Sequence, residues 1–258
     1  MNRHHILILT KRQYTNKDLI DDSFGRIREI PLALSRRGHT VNGLCLSYVK
    51  KAEGLFRDGA VNWNSYNATL YNPIGLFNFI RAANHLAQKA DVIWACSDSV
   101  YGILGYWFSK RNNIPFIFDL YDNFEYFLAA RLPVIKQMYR LAIRKSQAVT
   151  CVSRPLVDLI RSYRKSSGIH VIENGVRKDI FRPLNRSECR RKLNLPLQGH
   201  LVGTAGGLTS NRGIQTLFKA FQHLKKEDPD LHLVLAGKKQ VPIPHDSHIH
   251  YLGIMHLH

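Results

Sequence analysis

Short apolar runs alternate with amphipathic stretches along the chain. Read as strands, the apolar runs fall at 6–10, 40–46, 92–95, 116–120, 148–152 and 170–172. Helical periodicity between them covers 27–37, 76–89, 101–111, 134–145 and 155–164. Gly38 stops the first helix in the manner of a helix C-terminus. Strands this short and apolar, alternating with helices, predict a parallel sheet covered on both faces.

The pattern then restarts. Segment 182–199 is basic, contains Pro183 and Pro196, and reads as a connector. A strand at 201–204, a glycine-rich turn, a helix at 214–225 and strands at 231–236 and 248–252 follow. The fold class is therefore α/β, with a doubly wound parallel-sheet first domain (1–175) and a second Rossmann-like unit (176–258). The second unit is shorter than the ~100–150 residues usual for such a domain. An unpaired sheet edge and bare faces are expected there, and the domain is read as incomplete within this chain.

Composition narrows the class. With 45% hydrophobic and 22% charged residues the chain is globular rather than disordered. No apolar run reaches the ~18 residues of a membrane span, and the N-terminal stretch turns polar too soon for a secretory signal. Cys45, Cys96, Cys151 and Cys189 are widely spaced and read as reduced thiols of a cytoplasmic protein. The net charge of +18 favours a polyanionic partner: nucleic acid, anionic lipid or a phosphorylated ligand.

Four segments offer chemistry. Loop 11–24 ends in Gly25 before a helix, at the sheet edge where open α/β folds bind ligands. Segment 118–125 (F-D-L-Y-D-N-F-E) sets Asp119, Asp122 and Glu125 at the same edge, on one face if the segment turns helical. These acids suit sugar hydroxyls, a metal, or a solvated helix start. Segment 171–183 carries the turn-forming pair Asn174-Gly175 and reads as a hinge. Segment 202–213 (V-G-T-A-G-G-L-T-S-N-R-G) follows a strand and precedes a helix. Gly206, Gly207 and Gly213 offer backbone donors to a diphosphate and Arg212 adds a charge. It is neither a P-loop nor a dinucleotide fingerprint, and a glycine-permitted tight turn is the plain alternative.

These pieces, in this order, resemble family 4 glycosyltransferases of the GT-B type. H-V-I-E-N-G-V-R-K-D-I-F-R-P is similar to the passage between the two domains of that family. G-G-L-T-S-N-R-G-I-Q-T-L-F-K-A-F is similar to its donor-diphosphate loop and helix. L-H-L-V-L-A-G, A-V-T-C-V-S-R-P-L, L-S-R-R-G-H-T-V and D-S-F-G-R resemble flanking elements. The resemblance implies retaining transfer of a sugar from a nucleotide-sugar donor to a lipid-linked or saccharide acceptor, in cell-surface polysaccharide or lipopolysaccharide biosynthesis. No cofactor or metal is implied, because protein cations and a helix dipole stabilise the leaving diphosphate. Carried over, Arg212 takes the role of the diphosphate-binding lysine, Gly206 and Gly207 line the phosphates, and Gly213 opens the helix. Gly25 sits by the acceptor, with Asp119, Tyr121, Asp122 and Glu125 as acceptor-side candidates. Asn174 and Gly175 form the hinge.

The chain departs from the family in three places. Gly207 stands where arginine is usual, Tyr121 where many members have histidine, and the paired glutamates of the E-x7-E motif do not occur before His258. A poorly active or inactive fragment is the expectation. Lys136, Arg140 and Arg144 form a basic stripe on helix 134–145 suited to an anionic membrane surface, or to solvent. The expected location is cytoplasmic, peripheral to the inner membrane face if that stripe binds lipid. Two alternatives remain: a non-catalytic partner subunit, marked by an exposed apolar edge at 251–258, and a basic nucleic-acid-binding protein. The second lacks any recognisable nucleic-acid motif, and no nucleic acid is expected. His245, His248, His250, His256 and His258 cluster late in the chain, where few carboxylates stand by to support a metal; none is expected.

Overall fold

The first strand, β1 (His5–Lys11), is apolar on both faces because it lies in the middle of a sheet covered on both sides. The computed structural model describes residues 2–14, 17–23, 25–69, 73–176, 178 and 181–255. After β1 come a small hairpin, β2 (Gln13–Tyr14) and β3 (Lys17–Asp18), then α1 (Arg26–Arg36) and β4 (Thr40–Ser47). Next are β5 (Gly54–Asp58), β6 (Val61–Asn67), α2 (Ile74–Ala87), β7 (Val92–Ala95) and α3 (Ser99–Asn112). The series continues with β8 (Phe116–Leu120), α4 (Pro133–Lys145), β9 (Ala148–Cys151), α5 (Arg154–Tyr163) and β10 (Ile169–Val171). Then follow α6 (Arg186–Lys192), β11 (His200–Ala205), α7 (Ile214–Leu224), β12 (Leu231–Ala236) and β13 (Ile249–Tyr251).

The chain divides into two compact units, Met1–Val176 and Arg177–His258. The first holds an eight-stranded sheet ordered β10-β9-β8-β7-β1-β4-β6-β5, parallel except for the β5–β6 pair. One apolar layer, containing Phe79, Phe108, Phe118, Tyr139 and Ile160, lies on the side of α2–α5. The other, containing Ile27, Leu32, Trp63 and Trp94, lies on the side of α1. Cys45, Cys96 and Cys151 are buried free thiols, each pushed up to about 12 with burial as the chief cause.

The expected strands and helices of the first unit all form, with ends shifted by a few residues. The hairpin β5–β6 is additional. β6 alternates buried Val61, Trp63, Ser65 and Asn67 with half-buried positions, and pairs with β4 across the register Gly43↔Trp63. The supposed connector 182–199 contains α6, whose Asn185 accepts from Glu188 N as an N-cap.

The second unit is a three-stranded parallel sheet, β11-β12-β13. β12 alternates strictly: Leu231, Leu233 and Leu235 point at Ile214, Phe218 and Phe221 of α7, and the opposite face is half-exposed. β11 lies at the edge and is exposed along most of its length, the unpaired edge and bare face expected of this unit.

Candidate functional site

The loop after β1 is organised by Arg12, a fully buried cation. Its Nε donates to both carboxylate oxygens of Asp18 (2.9 and 3.0 Å), and Nη2 to Asp21 (2.6 Å). Nη1 donates to Ala52 O (2.7 Å) and Ser65 Oγ (3.0 Å). The loop thus folds around a neutralised guanidinium rather than hanging in solvent. It returns to Gly25, where φ is 90° and a Cβ would stand 2.7 Å from Tyr14 Cε1. Only glycine accommodates both the left-handed backbone and the ring. Tyr14 in turn meets Tyr121 edge-on at 4.7 Å.

Arg26, the first residue of α1, turns inward. Its fork grips Asp119 at the end of β8 through Nε–Oδ2 (2.9 Å) and Nη2–Oδ1 (2.6 Å). Thr150 Oγ1 also donates to Asp119 Oδ1 (2.5 Å). The remaining nitrogen of Arg26, Nη1, donates to Ile172 O (2.5 Å) and Asn174 Oδ1 (3.2 Å). One buried ion pair therefore ties the start of α1, β8, β9 and the segment after β10 together.

The acids of 118–125 are not on one helical face. Asp119 belongs to β8, residues 121–123 are irregular, and only Phe124–Tyr126 forms a short 3-10 turn. Asp119 is buried in its ion pair, Asp122 is exposed, and Glu125 faces α4. Arg140 binds Glu125 through two nitrogens (2.6 and 3.1 Å), and Lys136 approaches to 3.2 Å. Burial works against the Glu125 charge, but these two cations outweigh it and hold its carboxyl below the usual range. Two of the three cations of the expected basic stripe, Lys136 and Arg140, thus share the single carboxylate of Glu125, and of the three only Arg144 has no ion pair among the described residues.

Tyr121 donates to Ser97 O (2.6 Å), and burial pushes its hydroxyl pKa far up. Ser97, buried at φ 93°, also takes a hydrogen bond from Lys11 N (3.1 Å) and meets the Thr10 hydroxyl. A non-glycine residue held in this conformation marks strain at the ligand-binding edge of the sheet. Next to it, Asp98 caps α3 by accepting from Val100 N (2.9 Å), with Lys11 Nζ at 3.8 Å. Burial raises the Asp98 pKa against the pull of Lys11. Asn174 is held by Arg26, whereas Gly175 is exposed in irregular chain with nothing near a built Cβ. Residues 172–176 make no turn.

In the second unit, the loop after β11 is fastened at its base and open at its crest. Gly206 N donates to Ala236 O (2.9 Å) and Leu208 N to Lys238 O (3.0 Å). Gly237 sits so close that a Cβ on it would fall 1.7 Å from Gly206 O, at φ 130°. Leu208 is buried among Ile214, Phe218 and Leu235. Gly206 and Arg212 are exposed, and Cβ atoms built on Gly206 and Gly207 lie 3.8 and 3.9 Å from the Arg212 guanidinium. Gly213, at φ 74°, opens α7, whose first-turn N–H groups have no partner within the helix. The result is an exposed loop of glycine backbone, helix N-terminus and one arginine, with no Asp or Glu in residues 202–214, a chemistry suited to an anion.

Sequence reasoning missed Arg12, Arg26, Asp98 and Gly237. Asp98 alone carried a signal, an acid three positions past the end of strand 92–95. The histidines His232, His248 and His250 share the open face of the small sheet, with His250 Nε2 3.1 Å from His232 Nδ1. Among the described residues no group of three metal-ligating side chains is placed to hold an ion. His256 and His258 lie outside the described residues, as does Phe24 of the first loop.

Comparison with known proteins bears on this arrangement. Alpha-monoglucosyldiacylglycerol synthase of Streptococcus pneumoniae is 26% identical over 161 residues, which cover 58% of this chain and 36% of that protein. The chain thus spans about a third of that relative. Among solved structures, Anabaena Alr3699/HepE in complex with UDP-glucose superposes with a TM-score of 0.61 at 16% identity, over 98% of this chain and 70% of that one. The trehalose 6-phosphate synthase of Burkholderia multivorans gives 0.61 at 12% identity, over 99% and 73%. The fold is therefore of the GT-B glycosyltransferase type. Residues 26–180, more than half of the chain, match Glycosyltransferase Family 4, and the chain belongs to that family.

Proposed function

We propose that this protein transfers a sugar, with retention, from a nucleotide-sugar to a lipid-linked or saccharide acceptor. The observation that carries the reading is the cradle 206–214. Its exposed Arg212, glycine backbone and α7 N-terminus present positive potential where a leaving diphosphate gains charge. Stabilisation of that kind calls for no metal. Two other findings support the reading: a family relative that synthesises a glucosyl lipid and a structural neighbour that binds UDP-glucose. In the first unit the acceptor edge would comprise Gly25, Tyr121, Asp122 and Asp98, with Asp119 and Arg26 holding its shape rather than touching substrate.

The test is calorimetric titration of UDP into the protein, with EDTA present throughout. Binding is expected without metal, weakened at least ~10-fold in Arg212→Ala, as loss of a charge-assisted contact of ~1.5–3 kcal/mol requires. Equal affinity of Arg212→Ala, or dependence on a divalent ion, overturns the assignment of the cradle.

A second reading has one observation behind it. Tyr251, Ile254 and Met255 are exposed beside the half-covered sheet, as on a subunit that docks another chain. A monomer by light scattering at ~100 μM, above the micromolar dissociation constants of weak pairs, rules out docking of a second copy.

A further inference from the structure

The loop after β12 runs alongside the cradle of the second unit rather than away from it. Ala205 pairs with Ala236 at the ends of β11 and β12, and Leu208 pairs with Lys239 beyond them. Both pairs share one offset, so Gly206 stands opposite Gly237 and Gly207 opposite Lys238. Backbone hydrogen bonds hold that register: Leu208 N donates to Lys238 O (3.0 Å) and Gln240 N to Leu208 O (3.1 Å). Loop 237–240 is pinned from β13 as well. Gly237 N donates to Gly253 O (2.6 Å), and Tyr251 Oη donates to Gly237 O (2.9 Å). The two lysines of this loop therefore project from a fixed backbone.

Their surroundings differ. Lys239 Nζ lies over the Tyr251 ring, 5.9 Å from its centroid. Lys238 is exposed and has no ion pair among the described residues. The acids of segment 200–258 are Glu227, Asp228, Asp230 and Asp246. All four lie in the segments that enter β12 or β13, at the amino edge of the sheet, where His223, His200 and Lys225 pair with three of them. The carboxyl edge carries Arg212, Lys238 and Lys239 and none of these acids. A terminal diphosphate brings more than one negative charge near neutral pH, whereas the cradle itself supplies a single cation, Arg212. Gly207 adds no side chain. Neighbouring strands lie ~4.8 Å apart, a gap that the four-carbon stem of a lysine spans. A cation based at position 238 thus reaches a ligand lying on the Gly206-Gly207 backbone.

We propose that Lys238 is a second phosphate-binding residue of the donor site, acting with Arg212 and supplying across the strands the side chain that Gly207 lacks. The inference rests on the proposed function and adds to it a preference for a nucleoside diphosphate over a monophosphate. One phosphate is served by one cation, two linked phosphates by two. Lys239, held on Tyr251, keeps the loop in place and is not part of the pair.

The experiment is calorimetric titration of UDP and of UMP into the 258-residue chain and its variants, with EDTA present. Lys238→Ala should weaken UDP at least ~5-fold, the scale of a charge-assisted contact made by an exposed, flexible stem. UMP should weaken less than about twofold, so the preference for the diphosphate shrinks. Lys238→Arg should keep both affinities. Lys219→Ala, which removes an exposed cation from the middle of α7, should change neither.

Rescue separates a lost contact from a displaced loop. A Cβ built on Gly207 meets nothing nearer than 3.9 Å, and Gly207 is not among the glycines with left-handed backbone, so arginine fits there. Lys238→Ala/Gly207→Arg should therefore regain most of the UDP affinity, and failure to regain any would mark a displaced loop and overturn the proposal. UDP affinity of Lys238→Ala within about twofold of the parent, beside a weakened Arg212→Ala, overturns it while the cradle assignment stands. Equal losses for UDP and UMP overturn the diphosphate preference. An equal loss in Lys219→Ala reduces the effect to the net charge of +18 and overturns the proposal too. A parent chain that binds no UDP overturns both readings.

Discussion

Asp119 stands where a sugar-binding acid was expected, yet its geometry is that of a structural clamp. Asp119→Asn separates the two roles, because it keeps the shape and removes the charge. It leaves the buried Arg26 without a counter-charge, facing only neutral acceptors: the remaining amide oxygen at 119, Ile172 O and the Asn174 side chain. Stripping one partner from a buried ion pair costs about 3–5 kcal/mol. For a unit of this size, each kcal/mol corresponds to roughly 2–4 °C, so melting should drop by about 6–20 °C. Trp63, Trp94 and Trp107 all lie in the first unit, so tryptophan fluorescence reports its unfolding alone. Arg26→Met should cost a similar amount. Arg26→Met/Asp119→Leu, which removes both charges, should cost less than the two singles added, with a coupling of about 1–3 kcal/mol. The reasoning fails if Asp119→Asn melts within about 2 °C of the parent, a shift below 1 kcal/mol. Should that variant also lose sugar transfer, Asp119 would be an acid of the reaction after all.

Further outcomes are expected of the second unit and of the end of the first. Gly237→Ala forces a methyl into Gly206 O and a side chain onto φ 130°, so UDP affinity should fall at least ~10-fold by displacement of the cradle. Gly175→Ala, with open space around it, should leave that affinity unchanged. The histidine face sets a pH dependence. Burial, followed by the charges of neighbouring histidines, lowers the pKa of His232, and burial followed by the charge of His248 lowers that of His250. Their neutral forms are favoured in the fold, so this stability is complete above the unfolded value near 6.5 and is lost as pH falls below it. Hydrogen exchange of β12 and β13 should accelerate between pH 7 and pH 5 beyond the intrinsic trend, and His232→Asn should flatten that change.

The alternating architecture was legible because it rests on local periodicity. β7, β8 and β12 end where their apolar runs end. The strand–loop–helix course of 202–214 was legible too, since glycines between a strand and a helix carry their own conformational meaning. β6 alternates in burial throughout, but in V-N-W-N-S-Y-N the apolar period of two stops at Trp63, and its polar buried positions Ser65 and Asn67 conceal an interior strand. α6 has no apolar face; its Asn185 cap and the guanidinium of Arg190, which donates to the carbonyls of Pro196, Gln198 and Gly199, hold it in place. What sequence could not reveal was the fate of the charges. Arg26 and Asp119 stand 93 residues apart, and nothing near either predicts that they meet. The basic stripe of α4 reads as facing lipid or solvent for the same reason, whereas Glu125 pairs with two of its three cations.

The inward course of Arg12 has a consequence for how such a protein diversifies. An internal cation with two carboxylates and two oxygen partners dictates the path of residues 11–14 and 17–22, so outward positions such as Lys17 carry little of that duty. Under the proposed function, a lineage can exchange those outward side chains to greet new acceptors while the rail beneath them stays put. The same wiring makes Arg12 an intolerant site, where even lysine would forfeit the fork that spans Asp18 and Asp21.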